Sequence, residues 1–288
     1  MKAAPVIKPF IKWVGGKRQL LPELQQRLPE RILDYYEPFI GGGALLWTLE
    51  PQELRSITIN DYNAELINAY QVVRDKPQQL LASLAKHRNT ETYYYEQRAL
   101  DRQDNFNRRT AVERASRFIY LNKTGYNGLY RVNSKGQHNV PYGRYANPTI
   151  VDSETIYACS AFLRHVQITQ GDFDAIRPLL NADAFVYLDP PYVPVSATAN
   201  FTSYTDQGFD RSMQQRLKEL CDYIDAIGGK FMLSNSDTPL VRELYAAYHV
   251  DEVKAARAIN SKATARGKIT ELVVRNYNAE RTQFKGRL

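Results

Sequence analysis

The segment Ala184-Phe185-Val186-Tyr187-Leu188-Asp189-Pro190-Pro191-Tyr192 joins a short apolar run to a carboxylate and two prolines. An apolar run that ends at a turn signal is typical of a strand buried on both faces of a parallel sheet. Asp189 would then lie at the carboxyl end of the strand, where open α/β sheets bind their ligands. The prolines restrict φ and remove two donors, so the carbonyl oxygens of Asp189 and Pro190 stay available as acceptors. A double proline that merely ends a strand is the alternative, but two acceptors beside the Tyr192 ring suit a flat ring that carries an amino group.

Strand and helix patterns alternate along most of the chain. The strand patterns lie at residues 32–39, 56–60, 166–169, 184–188, 230–234, 249–253 and 269–274. Helical periodicity is found at residues 64–73, 211–227 and 238–247. Such alternation predicts an α/β fold with a mostly parallel, seven-stranded sheet and helices on both faces.

The region from residue 77 to residue 165 lacks a strand pattern. Helical segments at 78–87 and 108–122 are followed by a polar and aromatic loop at 124–147. We therefore predict an inserted subdomain at 77–165, flanked by residues 1–76 and 166–288 as two parts of one α/β domain.

The composition is that of an ordinary globular protein. The chain has 288 residues, 43% of them hydrophobic, which allows one large core and a smaller subdomain. The 38 Lys and Arg residues exceed the 31 Asp and Glu residues and give a net charge of +7. This excess is compatible with a polyanionic partner such as nucleic acid.

Cysteine, histidine and apolar patterns exclude several other classes of protein. Cys159 and Cys221 form no C-x-x-C pair and are interpreted as reduced thiols, which favours the cytoplasm. No signal-peptide pattern is present, and no apolar run approaches the roughly 18 residues of a membrane span. The four histidines have no ligand spacing, so we predict no metal site.

Gly41-Gly42-Gly43 and Asp61 end the first two predicted strands, 20 residues apart when counted from Gly41. Glycines at a strand-to-helix turn let the backbone approach a ligand, and an acid at the next strand end binds ribose hydroxyls in nucleoside-binding folds. The last glycine of G-x-G-x-x-G is absent, so a nucleoside without a pyrophosphate fits better than a dinucleotide. A purely structural glycine turn is the alternative.

Four motifs resemble those of a known enzyme family. Residues 10–17 (FIKWVGGK) and 37–43 (EPFIGGG) resemble its cofactor motifs, Asp189 to Tyr192 its catalytic D-P-P-Y motif, and residues 125–131 (GYNGLYR) with 139–145 (NVPYGRY) its recognition hairpin. The family is that of the α-group DNA N6-adenine methyltransferases, of the Dam type that modifies GATC. The resemblance covers nearly the whole chain, and the order of the motifs agrees with the α group. It implies a Rossmann-like methyltransferase fold in which residues 77–165 recognise DNA through a hairpin at about 124–147.

The resemblance implies S-adenosyl-L-methionine as the methyl donor. Its methionine portion would lie near Trp13 and Lys17, its ribose on Asp61, and its adenine near Asp172 and Phe173. The whole implied set comprises Trp13, Lys17, Glu37, Pro38, Phe39, Gly41, Gly43, Asp61, Asp172, Phe173 and Asp189.

The catalytic set is Asp189, Pro190, Pro191 and Tyr192. An exocyclic adenine N6 is a poor nucleophile because its lone pair is delocalised into the ring. The Asp189 carboxylate and the Pro190 carbonyl would accept its two N–H groups and stabilise the positive charge that develops during direct displacement. Tyr192 would stack on the base, which must be flipped out of the duplex to be reached.

The recognition segment would read the sequence of double-stranded DNA. Arg131 can present a bidentate fork to guanine, and Leu129 can contact a thymine methyl. The resemblance further implies Lys12 for a guanine contact and Tyr126 as a wedge into the space left by the flipped base. It also implies Asn127 and Pro141 for neighbouring base contacts, and Arg144 is a candidate phosphate contact. The DNA-binding set is therefore Lys12, Tyr126, Asn127, Leu129, Arg131, Pro141 and Arg144. The alternative is a surface hairpin with ordinary Asn-Gly turn chemistry.

Other functions stay open at this stage. Cytosine C5 methylation is rejected because neither cysteine is placed as a thiolate nucleophile. N4-cytosine, RNA or small-molecule methylation and an inactive DNA-binding relative remain alternatives, although an intact Asp189 to Tyr192 motif disfavours the last. We expect residues 194–204 to be mobile and to close over the target, and the enzyme to act in the cytoplasm, at the nucleoid, without a membrane or an obligate protein partner.

Overall fold

The computed structural model describes residues 7–13, 17–193, 209–256 and 268–278. The chain divides into two compact units, each built from separate segments. The first unit contains Met1–Gly16, Ile40–Pro51 and Asn60–Gly171, and the second contains Lys17–Phe39, Gln52–Ile59 and Asp172–Leu288. The domain boundaries drawn from the sequence at residues 76 and 165 stay a prediction.

Seven strands form one sheet within the described residues. They are β1 (Asp34–Glu37), β2 (Ser56–Asp61), β3 (Gln167–Gln170), β4 (Ala184–Leu188), β5 (Lys230–Ser236), β6 (His249–Ala256) and β7 (Lys268–Arg275). Their spatial order is β3-β2-β1-β4-β5-β7-β6. Parallel pairs join β1 to β2, β1 to β4 and β4 to β5, whereas β7 runs antiparallel to both β5 and β6. The predicted α/β fold with a mostly parallel, seven-stranded sheet is confirmed.

The strand that carries the Asp-Pro-Pro-Tyr segment lies in the middle of the sheet. All five residues of β4 are buried, as are the four residues of β1 beside it. A central parallel strand is covered on both faces, which is why its sequence is continuously apolar instead of alternating. In the second unit, Val186 and Leu188 of β4 pack with Leu217, Phe231 and Leu233 in one hydrophobic core.

Eight α-helices accompany these strands in the described part of the chain. They are α1 (Leu21–Gln25), α2 (Ala64–Asp75), α3 (Pro77–Leu84), α4 (Glu91–Ala99), α5 (Ala111–Thr124), α6 (Ser153–Leu163), α7 (Arg211–Ala226) and α8 (Pro239–Leu244). The starts of the two longer helices of the first unit have a local cause. Asn63 accepts the backbone N–H groups of Glu65 and Leu66, and Thr110 forms a reciprocal capping box with Glu113.

Helix α5 is the most buried helix of the first unit and packs against α2 and α3. Helix α4 has a tyrosine-rich sequence that shows no clear apolar stripe. Of its three consecutive tyrosines, Tyr94 is fully buried, whereas Tyr95 is 36% exposed. Adjacent helical positions face different directions, so the run contributes to core packing instead of forming one flat platform. No helix among the described residues is long and apolar enough to cross a membrane.

Candidate functional site

Asp189 stands directly after β4 and is paired with a lysine from the amino-terminal motif. Lys17 is buried in a short 3₁₀ turn (Lys17–Gln19), and its Nζ lies 2.9 Å from Asp189 Oδ1. Burial raises the pKa of Asp189 above its ordinary value, and the Lys17 ammonium acts in the opposite direction. The ion pair therefore favours the charged form of the carboxylate in spite of its burial.

Tyr192 is held at both ends of its side chain. Lys17 Nζ lies 4.3 Å from the centroid of the ring, and the hydroxyl donates to Glu271 Oε2 over 2.7 Å. Burial raises the pKa of Tyr192 well above its ordinary value, and the charges of Asp189 and Glu271 add to the rise. The hydroxyl therefore stays protonated and serves as a donor.

The rest of the motif is fastened to the second unit by backbone contacts. Gln214 of α7 donates to the Pro191 carbonyl at 3.3 Å, and the Val193 N–H donates to Asn235 Oδ1 at 3.2 Å. Asn235 belongs to β5, the parallel neighbour of β4. The segment after Asp189 is thus fixed by side chains from two elements.

The glycine turn of the first unit is organised around Asp61. Asp61 Oδ2 accepts the Gly41 N–H at 3.1 Å, and Asp61 Oδ1 accepts the Asn63 N–H at 2.9 Å. Burial raises the pKa of Asp61 from 3.8 to about 6, although these backbone donors oppose the rise. The backbone N–H of Tyr62 is a third donor to this carboxylate. A carboxylate offers about four acceptor positions, so capacity remains for a contact to a ribose hydroxyl.

Trp13 explains why small residues are needed at this turn. A Cβ at Gly41 would lie 2.7 Å from Trp13 Cδ1, and one at Gly42 would lie 2.9 Å from Trp13 Cβ. Gly41 also has a φ of 46°, and Gly43 one of 67°, in the left-handed region that favours glycine. The Trp13 ring itself stacks on Tyr130 at 5.6 Å. Trp13 therefore packs directly against the glycine turn.

The other cofactor candidates lie in the second unit. Phe39 stacks on Phe173 with the ring centroids 5.3 Å apart. Asp172 forms an ion pair with Arg216 at 3.0 Å, and Glu37 is buried and accepts the Tyr35 hydroxyl at 2.7 Å. Pro38, the remaining member of the set, is buried.

The recognition segment forms a hairpin in which the chain reversal lies away from Asn127 and Gly128. Antiparallel bridges join Gly125 to Tyr142 and Val132 to His138, and the chain reverses between Asn133 and Gln137. Asn127 and Gly128 lie instead in a 3₁₀ turn (Tyr126–Gly128) in which Asn127 has a φ of 54°. The alternative of a hairpin that turns at Asn-Gly does not describe this segment, because both residues lie within one arm of the hairpin.

The DNA candidates of the first unit lie at its surface. Six of them are exposed and Leu129 is half-buried: Lys12, Tyr126, Asn127, Arg131, Pro141 and Arg144. Tyr126 is 52% exposed, and its backbone N–H donates to the Pro141 carbonyl at 2.9 Å. Arg131 Nε donates to Asn139 Oδ1 at 2.7 Å and one terminal nitrogen donates to the Asn139 carbonyl at 3.5 Å, so the guanidinium is only partly engaged.

Two residues that the sequence motifs do not mark lie beside the candidate residues. Glu271 lies in β7 opposite Ser236 of β5, and its only signal is a carboxylate within an apolar strand pattern. Tyr62 follows Asp61 directly and is 79% exposed. Its position next to Asp61 is the signal in the sequence that could have marked it. The expected closing segment at 194–204 lies outside the described residues.

The described residues include no cluster of metal-ligand side chains, and both cysteines are buried. No group of three or more His, Cys, Asp or Glu side chains there could hold a metal ion. Cys159 and Cys221 are free and buried. Burial raises the pKa of Cys159 to about 12 and that of Cys221 still further from its ordinary value. Neither thiol is therefore a thiolate at neutral pH.

Comparison with known proteins agrees with this geometry. Residues 13–259 match the model of the D12 class N6 adenine-specific DNA methyltransferases. A type II methyltransferase of Lactococcus lactis subsp. cremoris is 47% identical over 94% of this chain and 96% of its own length. A type II methyltransferase of Methanocaldococcus jannaschii is 40% identical over 94% of this chain and 99% of its own length. The DNA adenine methylase of Escherichia coli K12 is 32% identical over 92% and 93% of the two chains. The chain therefore belongs to the D12 class N6 adenine-specific DNA methyltransferase family.

Proposed function

We propose that this enzyme transfers a methyl group from S-adenosyl-L-methionine to N6 of adenine in duplex DNA, at GATC sites. The observation that carries the proposal is the Asp189-to-Tyr192 segment, fixed after the buried β4 and paired with Lys17 and Glu271. Membership of the family supports adenine as the methylated base and DNA as the substrate.

The charges of the second unit suit a cationic donor. Asp189, Lys17 and Glu271 are connected through the Tyr192 ring and hydroxyl, and together they carry one net negative charge when all are ionised. A sulfonium donor brings an activated methyl group that needs no metal ion. Opposite charge favours its binding, and electrostatic attraction is strong where water is displaced.

The remaining donor contacts follow the sequence-based set. Asp61 would bind ribose hydroxyls, for which its carboxylate retains acceptor capacity beside the glycine turn. We assign Trp13 and Lys17 to the methionine portion, and Asp172 and Phe173 to the adenine. Glu37, Pro38, Phe39, Gly41 and Gly43 complete the proposed cofactor set.

Asp189 and Pro190 act on the nucleophile. The Asp189 carboxylate accepts one N–H of the target amine and the Pro190 carbonyl accepts the other, which localises the lone pair of N6. Pro191 holds this backbone in place through its bond with Gln214. The Tyr192 ring stacks on the flipped base, since its hydroxyl is already anchored by Glu271.

The exposed hairpin residues of the first unit are proposed to read the duplex. Arg131 contacts guanine with its guanidinium nitrogens, and Leu129 contacts a thymine methyl. Lys12 reads a second guanine and Tyr126 fills the space of the flipped base, while Asn127 and Pro141 contact neighbouring bases and Arg144 a phosphate. A duplex DNA substrate supports action in the cytoplasm, at the nucleoid. The absence of an obligate protein partner stays a prediction.

A transfer assay tests the whole proposal. The enzyme is incubated with donor labelled in the methyl group and with one of three substrates: a duplex that contains GATC, a single-base variant of that duplex, or RNA of the same sequence. The labelled base is identified after hydrolysis. We expect N6-methyladenine in the GATC duplex alone. Label on cytosine N4, on RNA but not DNA, or equally on all duplexes would overturn the assignment.

A further inference from the structure

Asn122 lies in the last turn of α5, and its side chain joins two segments that the proposed function assigns to DNA reading. Only 2% of the residue is exposed, so the amide has no access to water or DNA. The segments are the amino-terminal stretch that contains Lys12 and the 3₁₀ turn that follows α5. All of these residues belong to the first unit.

The amide makes three hydrogen bonds to backbone groups. Asn122 Oδ1 accepts the Lys12 N–H at 2.9 Å, and Nδ2 donates to the Lys12 carbonyl at 2.7 Å. The second Nδ2 hydrogen is donated to the Gly128 carbonyl at 2.9 Å. One donor and two acceptors around the amide define its orientation, because a flipped amide would place like groups together.

The side chain of Lys12 is packed along the same turn. A Cβ at Gly128 would lie 2.6 Å from Lys12 Cδ and 2.8 Å from Lys12 Cβ, so the lysine stem runs directly over this glycine. The Lys12 ammonium lies 5.2 Å from the centroid of the Tyr145 ring. The Asn122 amide thus fixes the backbone of Lys12, and contact with the recognition segment fixes the direction of its side chain.

We infer that Asn122 is a positioning residue for specificity, which sets the register of Lys12 against the recognition segment without contacting DNA. The inference rests on the proposed function, in which Lys12 reads a guanine. A side chain that reads a base edge must be placed to within a fraction of an ångström, and the amide fixes both backbone groups of the residue that carries it. Loss of the amide frees Lys12 from Gly128, while the residues of the second unit keep their contacts.

The test compares four enzymes: wild type, Asn122→Ala, Lys12→Ala and the double variant. The measured quantity is the ratio of kcat/KM for GATC to kcat/KM for duplexes in which one guanine position is replaced. Asn122→Ala is expected to lower this ratio about tenfold at the position that Lys12→Ala also affects. The double variant should lose no more discrimination there than Lys12→Ala alone, because Asn122 acts through Lys12.

Asn68→Ala is the matched control. Asn68 of α2 donates to the Ala111 carbonyl at 3.0 Å, so it also holds backbone of α5, but at the opposite end from Lys12. This variant should keep the wild-type ratio, and thermal melting compares the folding of the variants. A purely structural Asn122 would lower kcat/KM for all duplexes by one factor and leave the ratio unchanged, and that result overturns the inference.

The two levels of the proposal fail differently. If Lys12→Ala lowers discrimination and Asn122→Ala does not, the inference falls and the guanine contact stands. If Lys12→Ala keeps the wild-type preference, the guanine contact of the proposed function falls, and the inference with it. Additive losses in the double variant would also overturn the inference, since they would show that Asn122 acts independently of Lys12.

Discussion

The hydrogen bond from the Tyr192 hydroxyl to Glu271 permits a quantitative test of how the stacking ring is held. Tyr192→Phe removes the donor but keeps the ring, and Glu271→Ala removes the acceptor. The bond is 2.7 Å long, and a hydrogen bond to a charged group contributes about 1.5–3 kcal/mol. Tyr192 is only half-buried, so solvent competes for the partners. We therefore expect each change to raise the barrier by about 1–2 kcal/mol, about five- to thirtyfold in turnover.

The double variant distinguishes positioning of the ring from general damage. If both side chains act through this one bond, Tyr192→Phe with Glu271→Ala should be about as slow as either single variant. The assay is single-turnover methyl transfer to a GATC duplex at saturating donor and DNA, on the pH-independent plateau. Thermal melting of each variant reports the stability of the fold separately.

Glu271→Gln separates the hydrogen bond from the charge. The amide oxygen can still accept from the Tyr192 hydroxyl, so this variant should keep most of the wild-type rate. Glu271 also raises the pKa of Asp189, and its neutralisation should move the acidic limb of the rate profile to lower pH. Multiplicative losses in the double variant, or a Glu271→Gln enzyme as slow as Glu271→Ala, would refute this reasoning.

Four further predictions concern single side chains. Asp189→Ala should abolish methyl transfer and leave duplex affinity largely intact, as filter binding beside the transfer assay would show; equal loss of both would contradict its role. Lys17→Met removes the cation that lowers the pKa of Asp189, so the rate should fall at higher pH than in the wild type, and an unmoved acidic limb would argue against the ion pair. Donor affinity, followed by calorimetry, should weaken as pH falls below about 6, because Asp61 then gains a proton, and Asp61→Asn should abolish this pH dependence. Arg131→Ala should relax preference at one guanine by about 1–3 kcal/mol, and unchanged preference in competition assays would remove it from the reading set.

Local sequence determined the strands and helices because their signals are contained within short segments. The apolar run of β4 indicates a strand buried on both faces, and all five of its residues are buried. Asn63 and Thr110 mark two helix starts because their side chains bond to backbone groups two or three residues away. Helix α4 was missed, since adjacent tyrosines obscure any periodicity.

Long-range contacts required the tertiary structure. Local patterns predict seven strands. They do not predict that β7 lies between β5 and β6 in the sheet. This order places Glu271 beside Tyr192, although the two residues are 79 positions apart in the chain. No local periodicity encodes which distant strand pairs with which, because that choice is made by packing of the whole sheet.

The sequence by itself determined the chemistry that is available and the family to which the chain belongs, since side-chain types in short motifs carry that information. It identified Asp189, Tyr192 and Lys17 as separate features. Only the tertiary structure decided that the Lys17 ammonium pairs with Asp189 and that the amide of Asn122 fastens Lys12, which lies 110 positions away. The physical reason is that hydrogen bonds and ion pairs act over about 3 Å, a distance that the fold, and not the spacing along the chain, establishes.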